Sequence, residues 1–293
     1  MRARWDRFWF EPGSPLALIA ARSLLALNAL WIILSRPGLP DLVRWPGIFW
    51  SDADIFTRIR FLVPPFPFGI EVALYTILVV GLLLVLTGRF VRGAALTSAV
   101  ILYHFADFEK IFSSPGSPFF RGLTVPVSGL FIVAFAQIPR RDDPPSPEYR
   151  WPVKLIQLLF GLTYLMAGIS KLRIIGLRWF RPENFEGILL AKMLPDAMPP
   201  WAQLFADHRA LIWLGAIGGI AIDFLPIFAV FSRRAARVIV PATFIAHMVI
   251  LRVLDVMFLN LPLLLLFVNW DWVAARWRTR SDGQSGIAET ARG

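Results

Sequence analysis

The sequence predicts an all-α, polytopic helical integral membrane protein with about eight transmembrane helices. Of its 293 residues, 57% are hydrophobic and 17% are charged, and the mean hydropathy is +0.61. A soluble domain is typically about 45–50% apolar and about 25% charged. Several apolar runs reach the roughly 20 residues that a helix needs to cross a bilayer. Most of the 12 Trp residues flank these runs, as in the aromatic belts of membrane proteins.

The spans in the first two thirds of the chain are predicted as follows. The first covers residues 15–35; it begins too late and runs too long for a signal peptide. A Pro- and Trp-rich stretch over 36–69 then predicts a long loop, because its dipeptides disfavour helix. Four further spans are predicted over 70–87, 94–112, 123–138 and 152–172. The segment PRRDDPPSPEYRW, which precedes the last of these, is predicted to be a solvated loop.

The last third of the chain predicts three more spans. A mixed stretch over 173–209 suggests an external segment with a short interfacial helix, and the sixth span follows over 210–231. The apolar run over 235–268 would be about 51 Å long as one helix, which exceeds a bilayer core of about 30 Å. A break near Arg252–Asp255 would divide it into two spans. The membrane domain is thus predicted over 1–273, with a polar, disordered tail over 274–293.

The formal charge of +10 is interpreted as topology. Arginine clusters lie between the apolar runs, as expected where a chain meets anionic headgroups and follows the positive-inside rule. We therefore expect no nucleic-acid partner, and we place the protein in the cell inner or plasma membrane with its N-terminus in the cytoplasm. The chain has no Cys, which excludes disulfides, thiolate metal sites, iron–sulfur clusters and cysteine nucleophiles.

The fifth predicted span carries a stripe of small and polar residues at steps of 4, 3, 4 and 3. Such spacing places the five residues of the stripe on one face of a helix. Two interpretations stay open: close helix packing with a lysine that extends to the surface, or a cavity-lining face with a partly desolvated lysine that acts as a base. The stripe consists of Gln157, Gly161, Tyr164, Gly168 and Lys171.

Asp223, inside the sixth span, is expected to have a cationic partner because a lone carboxylate in a bilayer is costly. Lys171 and Arg22 are the candidates, and the pair would be either structural or functional. Glu71 lies near a predicted helix start, where the helix dipole favours a carboxylate.

Two histidines also fall within predicted spans. His247 has Thr243 one turn before it and Asp255 two turns after it, and His104 has Asp107 three residues later. With three His in all and no dense carboxylate cluster, we predict no metal site.

Several segments in order resemble the horizontally transferred transmembrane (HTTM) family, the membrane domain shared with vitamin K-dependent gamma-carboxylase. They include FEPGSPLALIAARSLLALNALWII, WPVKLIQLLFGLTYLMAGISKL, IAIDFLPIFAVFSRRAAR and FIAHMVILRVLDVMFLNLPLLLLF, and together the resemblance covers roughly residues 10–270. The strongest match is Tyr164–Leu172, supported by the order and distance of Asp223 and His247. The resemblance implies that Lys171 corresponds to the lysine base of the carboxylase, which uses reduced vitamin K, oxygen and carbon dioxide.

The sequence departs from the carboxylase pattern at three places. Ser170 replaces a second lysine, and the region 113–123 lacks the histidine of an Asn-Asn-His sequence. Only about 23 residues follow the last predicted span, so the large lumenal domain is not expected. We therefore do not expect carboxylation of protein glutamates.

The leading functional hypothesis is an intramembrane pocket for an isoprenoid quinone, a hydroquinone or another lipid, with redox-coupled proton abstraction if a reaction occurs. Alternatives are a small-solute transporter and a non-catalytic scaffold or accessory subunit with an unidentified protein partner. The catalytic candidates are Lys171, Asp223 and His247, and the ligand-binding candidates are Gln157, Tyr164, Gly168 and His104.

Overall fold

The computed structural model describes residues 2–44, 66–112, 118–193, 200–254 and 256–276, and their backbone is mainly helical. Within these ranges the extended structure consists of one isolated antiparallel bridge between Gly13 and Ser146. The α-helices in chain order are α1 Arg2–Phe10, α2 Pro15–Leu34, α3 Phe68–Thr87, α4 Val91–Phe112, α5 Pro118–Phe135, α6 Pro147–Ile175, α7 Pro182–Met193, α8 Pro200–Asp207, α9 Arg209–Phe224, α10 Pro226–Phe231 and α11 Arg233–Leu254.

Five helical segments in the described ranges are long and apolar enough to cross a membrane: Pro15–Leu34, Phe68–Thr87, Pro147–Phe180, Arg209–Phe231 and Arg233–Val253. Two shorter apolar helical stretches cover Val91–Ala106 and Gly122–Phe135. In the most apolar part of Arg233–Val253 only 22% of the residues are buried within the protein. Exposed apolar surface on this scale is typical of helices that face lipid or a partner. The all-helical, membrane-compatible class predicted from the sequence is therefore confirmed.

The predicted count of about eight spans is not confirmed, because two of the predicted spans are the shorter apolar stretches of the described residues and the last one is a short 3₁₀ helix. Helix α11 ends at Leu254, which agrees with the predicted break, although Asp255 itself lies outside the described residues. The following apolar residues form a 3₁₀ helix over Leu261–Phe267 with 7 residues. At about 2.0 Å per residue this helix is roughly 14 Å long, which is less than half of a bilayer core.

Helix α6 begins earlier than predicted, at Pro147, inside the segment expected to be a solvated loop. The Ser146 hydroxyl accepts a hydrogen bond from the Glu148 backbone N–H at 3.2 Å, so it satisfies a free amide of the first turn. Pro147 has no N–H to satisfy at the first helical position, and Glu148 places an acid at the positive end of the helix. These three residues explain why the helix starts before the apolar run.

The chain divides into two compact units, one formed by Met1–Ile156 with Val268–Gly293 and the other by Gln157–Phe267. The division falls inside α6, and the membrane domain over 1–273 stays a prediction of the sequence. Residues 274–276 of the predicted tail are helical, and the rest of that tail lies outside the described residues.

The first unit is built from packed apolar helices. Helix α4 packs against α3 and α5, and α2 packs against the same two helices. Leu25, Leu82 and Leu102 are fully buried among them. At Gly129 a Cβ atom would lie 2.7 Å from both methyl carbons of Leu25, so the close approach of α5 to α2 requires glycine there.

The second unit contains the C-terminal part of α6 and helices α7 to α11. Helix α9 packs against α7 and α8, and α10 packs against α11. The break between α9 and α10 falls at Leu225, because Pro226 takes the first position of α10 and cannot continue the hydrogen-bond ladder of α9.

Candidate functional site

The polar stripe of α6 lies entirely in the second unit, and each of its five residues has an identified contact there. Helix α6 is continuous through Ile175, so steps of three and four residues place the stripe on one face, as predicted. The stripe contacts α9, α10, α11 and the 3₁₀ helix Leu261–Phe267.

The two glycines of the stripe allow α6 to approach neighbouring helices closely. A Cβ atom on Gly168 would lie 2.6 Å from Phe224 Cε2 and 2.9 Å from Asp223 Cβ, at the end of α9. A Cβ atom on Gly161 would lie 2.9 Å from Ile227 Cδ1 and 3.0 Å from Ile227 Cα. At these two positions the face is therefore packed, which is the structural alternative that the sequence left open.

Lys171 and Asp223 form an ion pair. The Lys171 ammonium donates a hydrogen bond to Asp223 Oδ2 at 2.7 Å, and the two side chains are 31% and 9% exposed. Lys171 Nζ also lies 5.0 Å from the centre of the Trp179 ring, within cation–π range. In the sequence, Trp179 is one of the Trp residues expected in the aromatic belt, and the structure places it beside this ion pair.

The position of Asp223 explains why it needs a cation. Asp223 is the penultimate residue of α9, and the negative end of a helix dipole disfavours a carboxylate. Lys171 supplies the opposite charge from α6. Of the two predicted cationic partners, the structure selects Lys171, while Arg22 belongs to the other unit.

Tyr164 and His247 form a second buried pair, and the hydrogen bonds of the imidazole define its tautomer. His247 Nδ1 lies 2.7 Å from the Thr243 carbonyl oxygen, which can only accept, so Nδ1 carries a proton. His247 Nε2 lies 3.3 Å from the Tyr164 hydroxyl, which donates to it when the imidazole is neutral. The His247 ring is 1% exposed and makes an edge-to-face contact with Phe258 at 4.1 Å between ring centres.

The two pairs share the same face of α6. Tyr164 and Lys171 are seven residues apart, which corresponds to about two turns, or roughly 10 Å along the helix. The structure thus brings four of the predicted site residues together in one unit: Lys171, Asp223, Tyr164 and His247. The predicted neighbour Asp255 lies outside the described residues.

The Gln157 side chain makes a hydrogen bond to a backbone carbonyl group. Its Nε2 donates a hydrogen bond of 2.7 Å to the buried Leu266 carbonyl oxygen in the 3₁₀ helix Leu261–Phe267. This bond anchors the chain that follows α11 to the beginning of the stripe.

His104, also predicted to bind ligand, belongs to the first unit, where it contacts Glu71. His104 Nε2 lies 3.0 Å from each carboxylate oxygen of Glu71, and Glu71 Oε1 also accepts a hydrogen bond of 2.8 Å from the Phe66 N–H. Glu71 is fully buried, so the helix dipole alone does not account for it. The separation of 33 residues left no local signal for this pair, and the side chain of Asp107 lies outside the described set.

No group of three or more metal-binding side chains occurs within the described ranges. Comparison of the chain with known proteins found no matching family model, no matching curated protein and no matching solved structure.

Proposed function

We propose that this protein is a multi-pass protein of the cell inner or plasma membrane, related to the HTTM and gamma-carboxylase-like class. Its second unit would bind a lipid or an isoprenoid quinone through the Lys171–Asp223 pair. The observation that carries the proposal is the contact of 2.7 Å between Lys171 Nζ and Asp223 Oδ2, made between two helices long and apolar enough to span a membrane.

The burial of this pair supports a functional role. Charged groups inside membrane segments are rare, because the cost of removing them from water is high. Asp223 is almost completely buried, whereas Lys171 keeps about a third of its surface exposed. The ammonium is held by the carboxylate and lies beside the Trp179 ring, and the partly exposed side chain would let a ligand approach it. A few converging polar groups in an apolar setting are the usual form of a ligand site.

The pair can serve acid–base chemistry in two ways. As an ammonium, Lys171 stabilises an anionic oxygen, such as that of a deprotonated hydroquinone. If Asp223 takes one proton from Nζ, the products are a neutral amine and a neutral carboxylic acid, and the amine can then accept a proton from the ligand. Tyr164 and His247 would line the same site, where the Tyr164 hydroxyl, which donates to His247 Nε2, keeps lone pairs that can accept a hydrogen bond from the ligand.

The test is to purify the full chain from membranes and to identify the bound lipids by mass spectrometry. We expect an enriched isoprenoid quinone or lipid in the wild type and a loss of about tenfold in Lys171→Ala, because a hydrogen bond to a charged group contributes about 1.5–3 kcal/mol. Asp223→Asn should weaken retention in the same direction. Lys154→Ala, a lysine change elsewhere on α6, is the matched control and should retain the ligand.

Absence of any enriched quinone or lipid in the wild type would refute the proposal. A scaffold role is the second candidate, and the packed glycines Gly161 and Gly168 favour it. It predicts that Lys171→Ala changes thermal stability in detergent while the bound lipids stay the same as in the wild type.

A further inference from the structure

The second unit contains an open cavity of about 550 Å³ that is separate from the Lys171–Asp223 pair. It lies where the end of α6, the 3₁₀ helix Gly176–Phe180, the start of α7 and the start of α9 meet. Its volume falls in the range of small-molecule pockets, about 300–1,000 Å³. The polar and aromatic residues that line it are Arg178, Arg181, Glu183, Asn184, Arg209 and Trp213.

The lining has an excess of positive charge. It combines three arginines with one glutamate. Glu183 approaches Arg209 at 3.6 Å, and both side chains are mostly exposed, so this contact neutralises little of the positive charge around the cavity. Within the described part of the chain, Arg178 and Arg181 form no ion pair. Two guanidinium groups are thus available to an anion.

The surroundings of the cavity are apolar. Ile174 near the end of α6 and Leu177 in the 3₁₀ helix Gly176–Phe180, which neighbour lining residues along the chain, are 77% and 80% exposed. On α9, Leu214 is 65% exposed and Trp213 is 43% exposed. A ligand that contacts both the arginines of the lining and the exposed apolar side chains has an anionic head and a hydrocarbon body.

The cavity also lies at the beginning of a helical segment that is long and apolar enough to cross a membrane. Arg209 is the first residue of the apolar segment Arg209–Phe231, and Trp213 is about one turn further along. Arginine and tryptophan are the residues that concentrate where a membrane helix meets the headgroups. Guanidinium groups bind phosphate through two parallel hydrogen bonds, which gives both affinity and orientation.

We propose that this cavity, called here the arginine cavity, binds the phosphate of an anionic phospholipid, with Arg178 and Arg181 as its principal ligands. The exposed leucines and isoleucine beside it favour a lipid over free phosphate as the source of the anion. Lys171 does not line the cavity, so this inference stands or falls separately from the quinone or lipid site proposed above.

The test uses the full chain in nanodiscs of phosphatidylcholine with and without phosphatidylglycerol, followed by native mass spectrometry of the retained lipid. The wild type should retain phosphatidylglycerol preferentially. The double variant Arg178→Gln/Arg181→Gln should retain at least about tenfold less, because two charge-assisted contacts are lost. The matched control is Arg234→Gln/Arg237→Gln, which removes two exposed arginines with the same spacing from α11, outside the cavity.

Three results would overturn the inference. Equal loss of phosphatidylglycerol in both double variants would show that net charge, and not the cavity, determines how much of this lipid is retained. If the wild type retained phosphatidylglycerol no better than phosphatidylcholine, the cavity would not be a site for anionic phospholipid. Binding of inorganic phosphate that depends on Arg178 and Arg181, with no enrichment of phosphatidylglycerol, would identify a free-phosphate site instead.

Discussion

At the scale of single residues, polar groups in the apolar runs are placed by the partner each one finds. Asp223 contacts Lys171, His247 contacts both Tyr164 and the Thr243 carbonyl, and Gln157 contacts the Leu266 carbonyl. A buried polar group without a hydrogen bond costs free energy that a membrane segment cannot recover from water. These contacts therefore specify how the second unit packs as well as where its chemistry lies.

Asp143 illustrates the same rule in the loop between α5 and α6. Its Oδ2 accepts hydrogen bonds from the Arg140 N–H at 2.8 Å and from the Tyr149 hydroxyl at 2.7 Å. These two bonds, the one from the Arg140 backbone first, lower the pKa of Asp143 below its ordinary value of 3.8.

This shift predicts a pH dependence of stability. Since the pKa is lower in the folded state than in the unfolded state, the contribution of Asp143 is complete above the unfolded value and is lost as the pH falls through the folded one. Asp143→Asn should lower the midpoint of thermal unfolding at neutral pH, and the difference from the wild type should shrink as the pH falls below 3.8. Differential scanning fluorimetry in detergent measures both.

Asp142→Asn is the control, because the exposed Asp142 carboxylate accepts no hydrogen bond from the part of the chain that the structure describes. It should leave the unfolding midpoint close to that of the wild type at each pH. A pH-independent difference for Asp143→Asn would show that its hydrogen bonds do not depend on the charge.

At the scale of elements, the close approach of α6 to the end of α9 depends on Gly168. We predict that Gly168→Ala lowers the free energy of unfolding by about 1–3 kcal/mol, because its Cβ atom would lie 2.6 Å from Phe224 Cε2 and the helices would have to move apart. Gly218→Ala in α9, where no neighbouring heavy atom would lie within 4 Å of the added Cβ atom, should be neutral or stabilising by up to about 1 kcal/mol.

Denaturant titration of the two variants in the same detergent checks this prediction. If Gly168→Ala proves as stable as Gly218→Ala, the packing of α6 on α9 is looser than the structure indicates. Retention of lipid by the two variants, measured in parallel, separates a packing defect from loss of the ligand.

Helix boundaries show why elements are only partly predictable. The apolar runs located the long helices, since hydrophobic length is a property of the sequence. The start of α6 at Pro147 depends instead on the Ser146 cap, and the short 3₁₀ helix Leu261–Phe267 is held by the Gln157 side chain. Both contacts fall outside the hydrophobic pattern from which the spans were predicted.

At the scale of the whole molecule, the absence of Cys makes the topology directly measurable. If the N-terminus is cytoplasmic and each apolar helix crosses the bilayer, Asp41 and Asp207 lie outside and Asp142 lies inside. We predict that a membrane-impermeant maleimide labels Asp41→Cys and Asp207→Cys in intact cells, and Asp142→Cys only after permeabilisation. The wild type, without any thiol, is the unlabelled control.

Labelling of Asp142→Cys in intact cells would contradict the proposed orientation. All three positions carry exposed acidic side chains in the structure, so the substitutions should not disturb packing. The experiment also tests whether Pro147–Phe180, between Asp142 and Asp207, crosses the membrane.

The sequence by itself determined the all-helical, membrane-compatible class, the long helices and the shared face of Gln157, Tyr164 and Lys171, because these follow from hydrophobic length and helical period. Only the tertiary structure decided that Asp223 pairs with Lys171, that His104 meets Glu71, and that Arg178 and Arg181 border one cavity with Arg209. The reason is that such contacts join residues tens of positions apart, and which of them meet depends on how the helices pack.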